Sequence, residues 1–491
     1  MIRGITCAAT LALALGAGLA GQAGARGVVI GMQLEPPVLD PTAGAAGAID
    51  EIVYANVFEG LTRFGADGSI VPGLAESWEV SADGLSWTFR LRDGVRFHDG
   101  TAFDAEDVVF SFERAQAEDS ANAQKALFAP IAAATAVDPL TVRIDLSQPT
   151  GALDFNLAWG DAVIVAPESA ASNATDPVGT GPFRFARWAR GDRVELTRNE
   201  DYWGEPAALD GATFKFVSDP TAAFAAVMAG DIEAFPAFPA PEMLDALAAD
   251  PRFRVTIGST EGETILAMNN ARPPLDDIRM RRAITHAIDR KALIDGAMFG
   301  HATPIGSHFA PHHPDYVDLT ELSQHDPDLS RRLLEETGLQ GAVLSLKLPP
   351  PSYARRGGEI VAAQLREVGI ETRIETLEWA QWLEQVFRGR DFDLTIVAHT
   401  EPMDIGIYAR ESYYFGYDDA EFRQFMDVLA RETDPDQRSW LLQAAQRKIA
   451  VDAVNAFLFQ LPRAMVADAR LTGLWENAPT QANDLTAVRW E

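Results

Sequence analysis

LAESWEVSADGLSWTFRLRDGVRFHDGTAFDAEDVVFSFER, residues Leu74 to Arg114, is the stretch on which the fold reading turns. Trp78, Glu79 and Val80 read as a short strand, and Asp83-Gly84 as the tight turn that reverses it. Trp87, Phe89 and Leu91 then alternate with Thr88, Arg90 and Arg92, the period of a strand buried on one face. Asp93-Gly94 and Asp99-Gly100 mark two further turns. Asp104 is placed to cap a helix whose inner side carries Val108, Val109 and Phe112. A hairpin, turns and a capped helix in so short a span predict a compact strand-rich unit.

Outward from this unit the pattern alternates between strands and helices. Val28 to Ile30 reads as a strand, and Val142, Ile144 and Leu146 alternate as another. Gly179-Thr180-Gly181-Pro182-Phe183 punctuates a return to the first unit, followed by a strand at Val194 to Thr197. Beyond Ala267 long amphipathic helices take over. Asp277 to Gly296 predicts one helix with Ile284, Ala287, Ile288 and Ile294 on its inner face and Gly296 as its stop. Leu329–Thr337 before Gly338, Glu359–Val368 before Gly369, and Gln437–Ala450 predict three more. A strand from Phe392 to Val397 leads into the loop around Glu401. Strands alternating with helices in both halves place the chain in the α/β class.

At 491 residues the chain exceeds one compact core and predicts two or three subdomains. The 71 acidic residues outnumber the 41 basic ones, a net charge of −30, so a nucleic-acid partner is excluded and a cationic ligand is favoured. Arg3 is the only charge before an apolar run from Ile5 to Leu19, and Ala23-Gly24-Ala25 follows as a small-residue cleavage pattern. Residues 1–25 are therefore expected to be a signal peptide. The single cysteine, Cys7, lies inside that leader, so the exported chain carries no disulfide, no thiol nucleophile and no lipid-attachment cysteine.

Several separated motifs resemble one family. They are Leu39-Asp40-Pro41, Val57-Phe58-Glu59-Gly60-Leu61, the Leu74–Arg114 block, Gly179 to Phe183, and Asn199 to Trp203 (NEDYW). Further on are Met268-Asn269-Asn270, Arg281-Arg282-Ala283-Ile284, Ala287 to Arg290, and Val368-Gly369-Ile370. Together they resemble the dipeptide- and oligopeptide-binding branch of the periplasmic solute-binding proteins that serve ABC importers. The resemblance implies a two-lobed type II periplasmic binding protein fold, with two crossing strands between the lobes and an extra N-terminal subdomain. It assigns 26–56, 179–267 and 462–491 to lobe I, 57–178 to the extra subdomain and 268–461 to lobe II. It also implies a monomer in the periplasm that binds a peptide or a related amine-bearing solute. Delivery would be to permease subunits in the inner membrane, with no cofactor and no catalysis of its own. The sequence agrees in lacking a phosphate loop of the G-x-x-x-x-G-K type.

Ligands of open α/β sheets bind beyond the carboxyl ends of strands, which directs attention to His399–Tyr408. In similar dipeptide binders this loop carries two aspartates three apart, the first gripping the ligand's ammonium group. Here Glu401 and Asp404 keep that spacing, and a carboxylate in a closing cleft makes a charge-assisted hydrogen bond. Leu348 stands where those binders carry an arginine for the ligand carboxylate, leaving Arg355 or Arg356 to supply positive charge. Tyr408, Tyr414 and Trp379 complete the expected contacts as aromatic surfaces.

Three rivals share parts of this pattern. His301, His308, His312 and His313 fall close together and could suit nickel, but the metal reading lacks paired carboxylates at ligand spacing, and no metal site is assigned. A sugar, an opine-like amine or a nickel complex is the alternative ligand. A glycosidase would need carboxyls on both sides of a bond, which two acids on one loop do not provide.

Overall fold

A computed structural model describes residues 26–44, 46–401 and 404–491, so the expected leader lies outside the described residues. Six strands carry the architecture: β1 (Val28–Met32), β2 (Gly211–Phe216), β3 (Phe253–Met268), β4 (Val343–Leu348), β5 (Leu394–His399) and β6 (Asn455–Asp468). They belong to one mixed sheet ordered Glu371–Thr376, β4, β5, β3, β6, Ala234–Phe235, β1, β2, Arg193–Arg198, Phe183–Ala189.

β3 and β6 are the longest strands, 16 and 14 residues, and pair antiparallel from Phe253 opposite Asp468 to Ala267 opposite Asn455. At the far end of β3, Leu266 and Met268 enter one apolar core while Ile265 and Ala267 enter another on the opposite face. At the other end of the pair, Met465 and Ala467 of β6 join the core around β1 and β2, and Ala464 and Val466 join a smaller one. A strand covered on both faces reads as a continuous apolar run, which is what NAFLFQLP and ETILAM show. The two strands thus run from one lobe into the other. Their pairing shifts register between Ser259 and Glu263, where the lobes meet.

The Leu74–Arg114 block folds as its periodicity predicts. Ala75–Val80, Ser86–Leu91, Thr141–Leu146 and Ile131–Asp138 form a separate four-stranded antiparallel sheet. Trp87, Phe89 and Leu91 point into its own core with Val142, Ile144, Val108 and Phe112. Asp104 caps the helix Ala105–Gln116 by accepting from the Glu106 amide, and Asp107 closes the capping box. The glycines of Asp83-Gly84, Asp93-Gly94 and Asp99-Gly100 all have positive φ.

Three of the family-like motifs converge on Glu59. This buried carboxylate accepts from Thr180 Oγ1 at 2.8 Å, Tyr202 Oη at 2.8 Å and Trp203 Nε1 at 2.9 Å. Burial raises its pKa against those three donors. Glu59→Ala would leave three interior donors unpaired and should cost about 3 kcal/mol. Urea melts of the variant beside Glu59→Gln, which keeps two acceptor lone pairs, measure that cost.

Two helices differ from expectation. Asp277–Gly296 is not one helix but two, Ile278–Ala287 and Arg290–Met298, because Asp289 leaves helical geometry to cap the second by accepting from the Ala292 amide. Gly296 therefore lies inside a helix rather than ending one. The helix expected from Glu359 begins earlier, at Ser352, and contains Arg355 and Arg356. No helix among the described residues is long and apolar enough to cross a membrane.

Candidate ligand-binding site

Where β3 and β6 pass between lobes, the chain leaves a cavity of about 590 Å³. Thr260 to Gly262 and Leu461 to Arg463 line it at the crossing, and Gln33 and Leu34 beyond β1 line the first lobe's side. Gly47, Asp50 and Glu51 reach it from the helix Gly47–Val53, and Trp159, Gly160 and Asp161 from the chain beside the four-stranded sheet. Across the gap, Thr400 and Glu401 follow β5 and supply the second lobe's wall. The volume suits a di- or tripeptide-sized molecule.

Glu401 is exposed, and its carboxylate accepts only the Thr400 amide, at 3.2 Å, among the hydrogen bonds described. Asp404, three residues on, faces away from the cavity into the second lobe. Its carboxylate meets His308 Nε2 at 2.6 Å and His399 Nδ1 at 3.4 Å. Burial would raise its pKa, but the two histidines outweigh that and hold it well below the usual carboxylate range. Burial pushes the His308 pKa down against the pull of Asp404. Tyr408 and Tyr414 extend the network. The Tyr408 hydroxyl lies 3.2 Å from His308 Nδ1 and accepts from Asn455 Nδ2 at 3.1 Å, while the Tyr414 hydroxyl lies 3.2 Å from His399 Nε2. Burial raises both phenol pKa values.

The sequence-predicted residues therefore divide. Glu401 lines the cavity, whereas Asp404, Tyr408 and Tyr414 come together behind it as a buried network. Arg355 pairs with Glu378 at 3.2 Å, and the Arg356 guanidinium sits 5.0 Å from the Phe299 ring centroid. Trp379 packs edge-on against Trp382 and is 44 % exposed. Neither these two arginines nor Trp379 is among the cavity-lining residues. Leu348 ends β4 in the core, pressed on Gly358; a Cβ at Gly358 would fall 2.3 Å from Leu348 Cδ1.

The clustered histidines also separate. His308 joins His399 and Asp404, whose ligand atoms all lie within 4.8 Å of one another. That donor set has the chemistry of a transition-metal site, but the same atoms are engaged with each other and with the two tyrosines. His312 instead pairs with Glu261 at 2.7 Å and with Ser259 Oγ at 2.6 Å, and His313 stacks edge-on against Phe309.

Among the cavity groups that escaped the sequence reading are Asp50, Glu51, Asp161 and Arg463. Burial raises the pKa of Asp50 well above normal, with Asp161 and Glu51 adding to it. Burial also raises Glu51, opposed by Arg463, and pushes Asp161 up to about 7. Arg463 is depressed by burial to about 10; it donates to Asn483 Oδ1 at 2.9 Å, and its Nε has no partner. A signal did exist. Each is a charge set within an otherwise apolar run, as in GAIDEIV, AWGDAVIV and FLFQLPRAMV.

Comparison with known proteins places this geometry. Residues 69–419 match the family model for bacterial extracellular solute-binding proteins, family 5. A di/tripeptide-binding protein of Pseudomonas aeruginosa is 31% identical over 485 residues, covering 89% of this chain and 90% of that protein. A glutathione-binding protein of Pectobacterium atrosepticum is 31% identical over 357 residues, covering 71% and 68%. Among solved structures, HbpA2 of Haemophilus parasuis superposes with a TM-score of 0.86 at 24% identity, over 95% of this chain and all of that one. The peptide-bound DppA of Helicobacter pylori does so with a TM-score of 0.75 at 24% identity, over 94% and 98%. The fold is that of the two-lobed type II periplasmic binding proteins, and the chain belongs to family 5 of the bacterial extracellular solute-binding proteins.

Proposed function

We propose that this protein captures a peptide or a related amine-bearing solute in the periplasm and delivers it to the permease of an ABC importer. The observation that carries the reading is the inter-lobe cavity with Glu401 on its second-lobe wall. A ligand ammonium placed there gains a charge-assisted hydrogen bond that strengthens as closing lobes expel water. On the first-lobe side Arg463, with Nε unpaired, is the natural partner for a ligand carboxylate. Asp404, Tyr408 and Tyr414 support the site from behind by fixing the strand end and loop that present Glu401. The relatives named above for di- and tripeptides and for glutathione bind ligands with both an ammonium and a carboxylate, which fits these two walls. Ligand contacts made by both lobes would stabilise the closed state, the form offered to the permease.

A thermal-shift panel of the mature protein with di- and tripeptides, glutathione, amines and sugars tests this. Peptides or amines should raise the melting temperature, since a ligand selective for the folded state stabilises it by mass action. A response to neutral sugars alone would overturn the ligand assignment.

A further inference from the structure

The cavity is charged beyond what one ligand ammonium requires. Of the acids on its walls, Glu261 is paired with His312, and Glu51 faces Arg463. Glu401 is assigned above to a ligand ammonium. Asp50 and Asp161 remain, side by side on the first-lobe wall: a Cβ on Gly160 would fall 2.1 Å from Asp50 Oδ1, and Asp161 is the next residue. Asp161 is 8 % exposed, and the buried Oδ1 of Asp50 has no hydrogen-bond partner. A sealed carboxylate oxygen without a donor is costly unless something supplies one. Arg463, the cation among the described residues that line the cavity, does not serve this pair, because it donates to Ala482 O and Asn483 Oδ1 and is the charge opposed to Glu51.

We propose that the ligand carries a second cationic group, which seats between Asp50 and Asp161 while the first is held by Glu401. The ligand class is then a dication: a short peptide with a lysine or arginine side chain, or a diamine. This rests on the assignment of the cavity and Glu401 given above.

Asp161, held near pKa 7 by burial, also gives the site a proton signature. A cation beside it stabilises the carboxylate, so binding near neutral pH releases protons and tightens as pH rises. The charged group that senses it is Asp50 on the helix Gly47–Val53, which also feels Glu51, while the charge of Arg463 on β6 acts on Glu51; the Gln124 backbone opposes burial at Asp161 itself.

The test is isothermal titration calorimetry of the full mature chain at pH 7 with Ala-Ala, Ala-Lys, Ala-Glu and putrescine, each in phosphate and in Tris. Ala-Lys should bind at least about tenfold more tightly than Ala-Ala, and Ala-Glu more weakly than either. The Ala-Lys heat should differ between the two buffers by the released protons. Asp50→Asn and Asp161→Asn, both close in shape to the protonated acid, should remove the Ala-Lys advantage, bringing its affinity down to that of Ala-Ala in the same variant. Equal affinity for Ala-Lys and Ala-Ala, with both lost in Glu401→Gln, would overturn the second cation and keep the amine-binding reading. An advantage that survives in both aspartate variants would also overturn it. Putrescine binding without any peptide binding would keep the dication and remove the peptide. Silence from all four ligands would overturn both readings.

Discussion

Glu401→Gln should weaken the binding of an amine ligand by about 2 kcal/mol, roughly 30-fold, because a hydrogen bond to a charged partner is worth more than a neutral one. The substitution keeps the side chain's volume and leaves an oxygen for the ligand, so only the charge is removed. The fold should be untouched: Glu401 is exposed and its described hydrogen bond is to the neighbouring Thr400 amide. The expected result is a higher dissociation constant with an unchanged melting temperature for the ligand-free protein. Calorimetric titration of both proteins with one peptide or amine reads the first quantity, and a melt without ligand reads the second. Unchanged affinity would take Glu401 out of the site.

Asp404→Ala should act on the other quantity. It strips His308 and His399 of their shared buried acceptor, and each buried donor left unpaired costs about 1–3 kcal/mol. Urea melts should show that loss, and a variant as stable as the parent would show that the network does not hold the lobe together. The pH dependence fixes the sign. The Asp404 pKa is lower in the folded protein than in the unfolded one, so its contribution is present above about pH 4 and lost on acidification. The His308 pKa is also lowered, so below about pH 6.5 the unfolded chain takes up a proton that the folded chain refuses, and stability again falls with acid. Asp50 and Asp161 work in the opposite sense. Their folded pKa values are raised, so their contribution is present below about pH 4; that of Asp161 is lost as the pH climbs through about 7, and that of Asp50 is lost in the same sense as pH rises. The lobe interior and the cavity wall thus draw the stability optimum in opposite directions, as expected where a ligand rather than the protein completes the charge balance.

The fold was legible wherever the signal was local. Alternation announced the strand Ser86–Leu91, Asp104 announced its helix, and Gly338 takes the left-handed conformation that ends the helix Pro327–Thr337. Where two local signals competed, reading failed. The apolar stripe continues through Ile288, but the cap at Asp289 breaks the helix there. Several motifs had a meaning visible only in three dimensions. Asn270 donates to the carbonyls of Met268, Phe415 and Val454, and Arg281 to those of Leu275, Asp452 and Ala453. Such clamps tie segments far apart in the chain and leave no periodic trace.

The site was legible only in part, for the same reason. Loop spacing identified Glu401 and Asp404 as a pair, but not that one carboxylate faces the cavity and the other a pair of histidines. His399 sits opposite Glu263 on β3, a juxtaposition of residues more than a hundred positions apart. Asp50 and Asp161 needed the same long-range information, since helix and loop are brought together only by the packing of the first lobe.

The two strands that run through both lobes have a consequence for signalling. A molecule whose halves share one hydrogen-bonded pair, β3 with β6, whose register shifts at Ser259–Glu263 and again at Thr264–Ile265, is loosened along a single seam. Whatever fills the interior, the exterior can answer only by opening or closing along it. On the proposed function, chemical variety inside would be compressed into one scalar outside, and the permease would gauge the spacing between two surfaces without recognising the cargo.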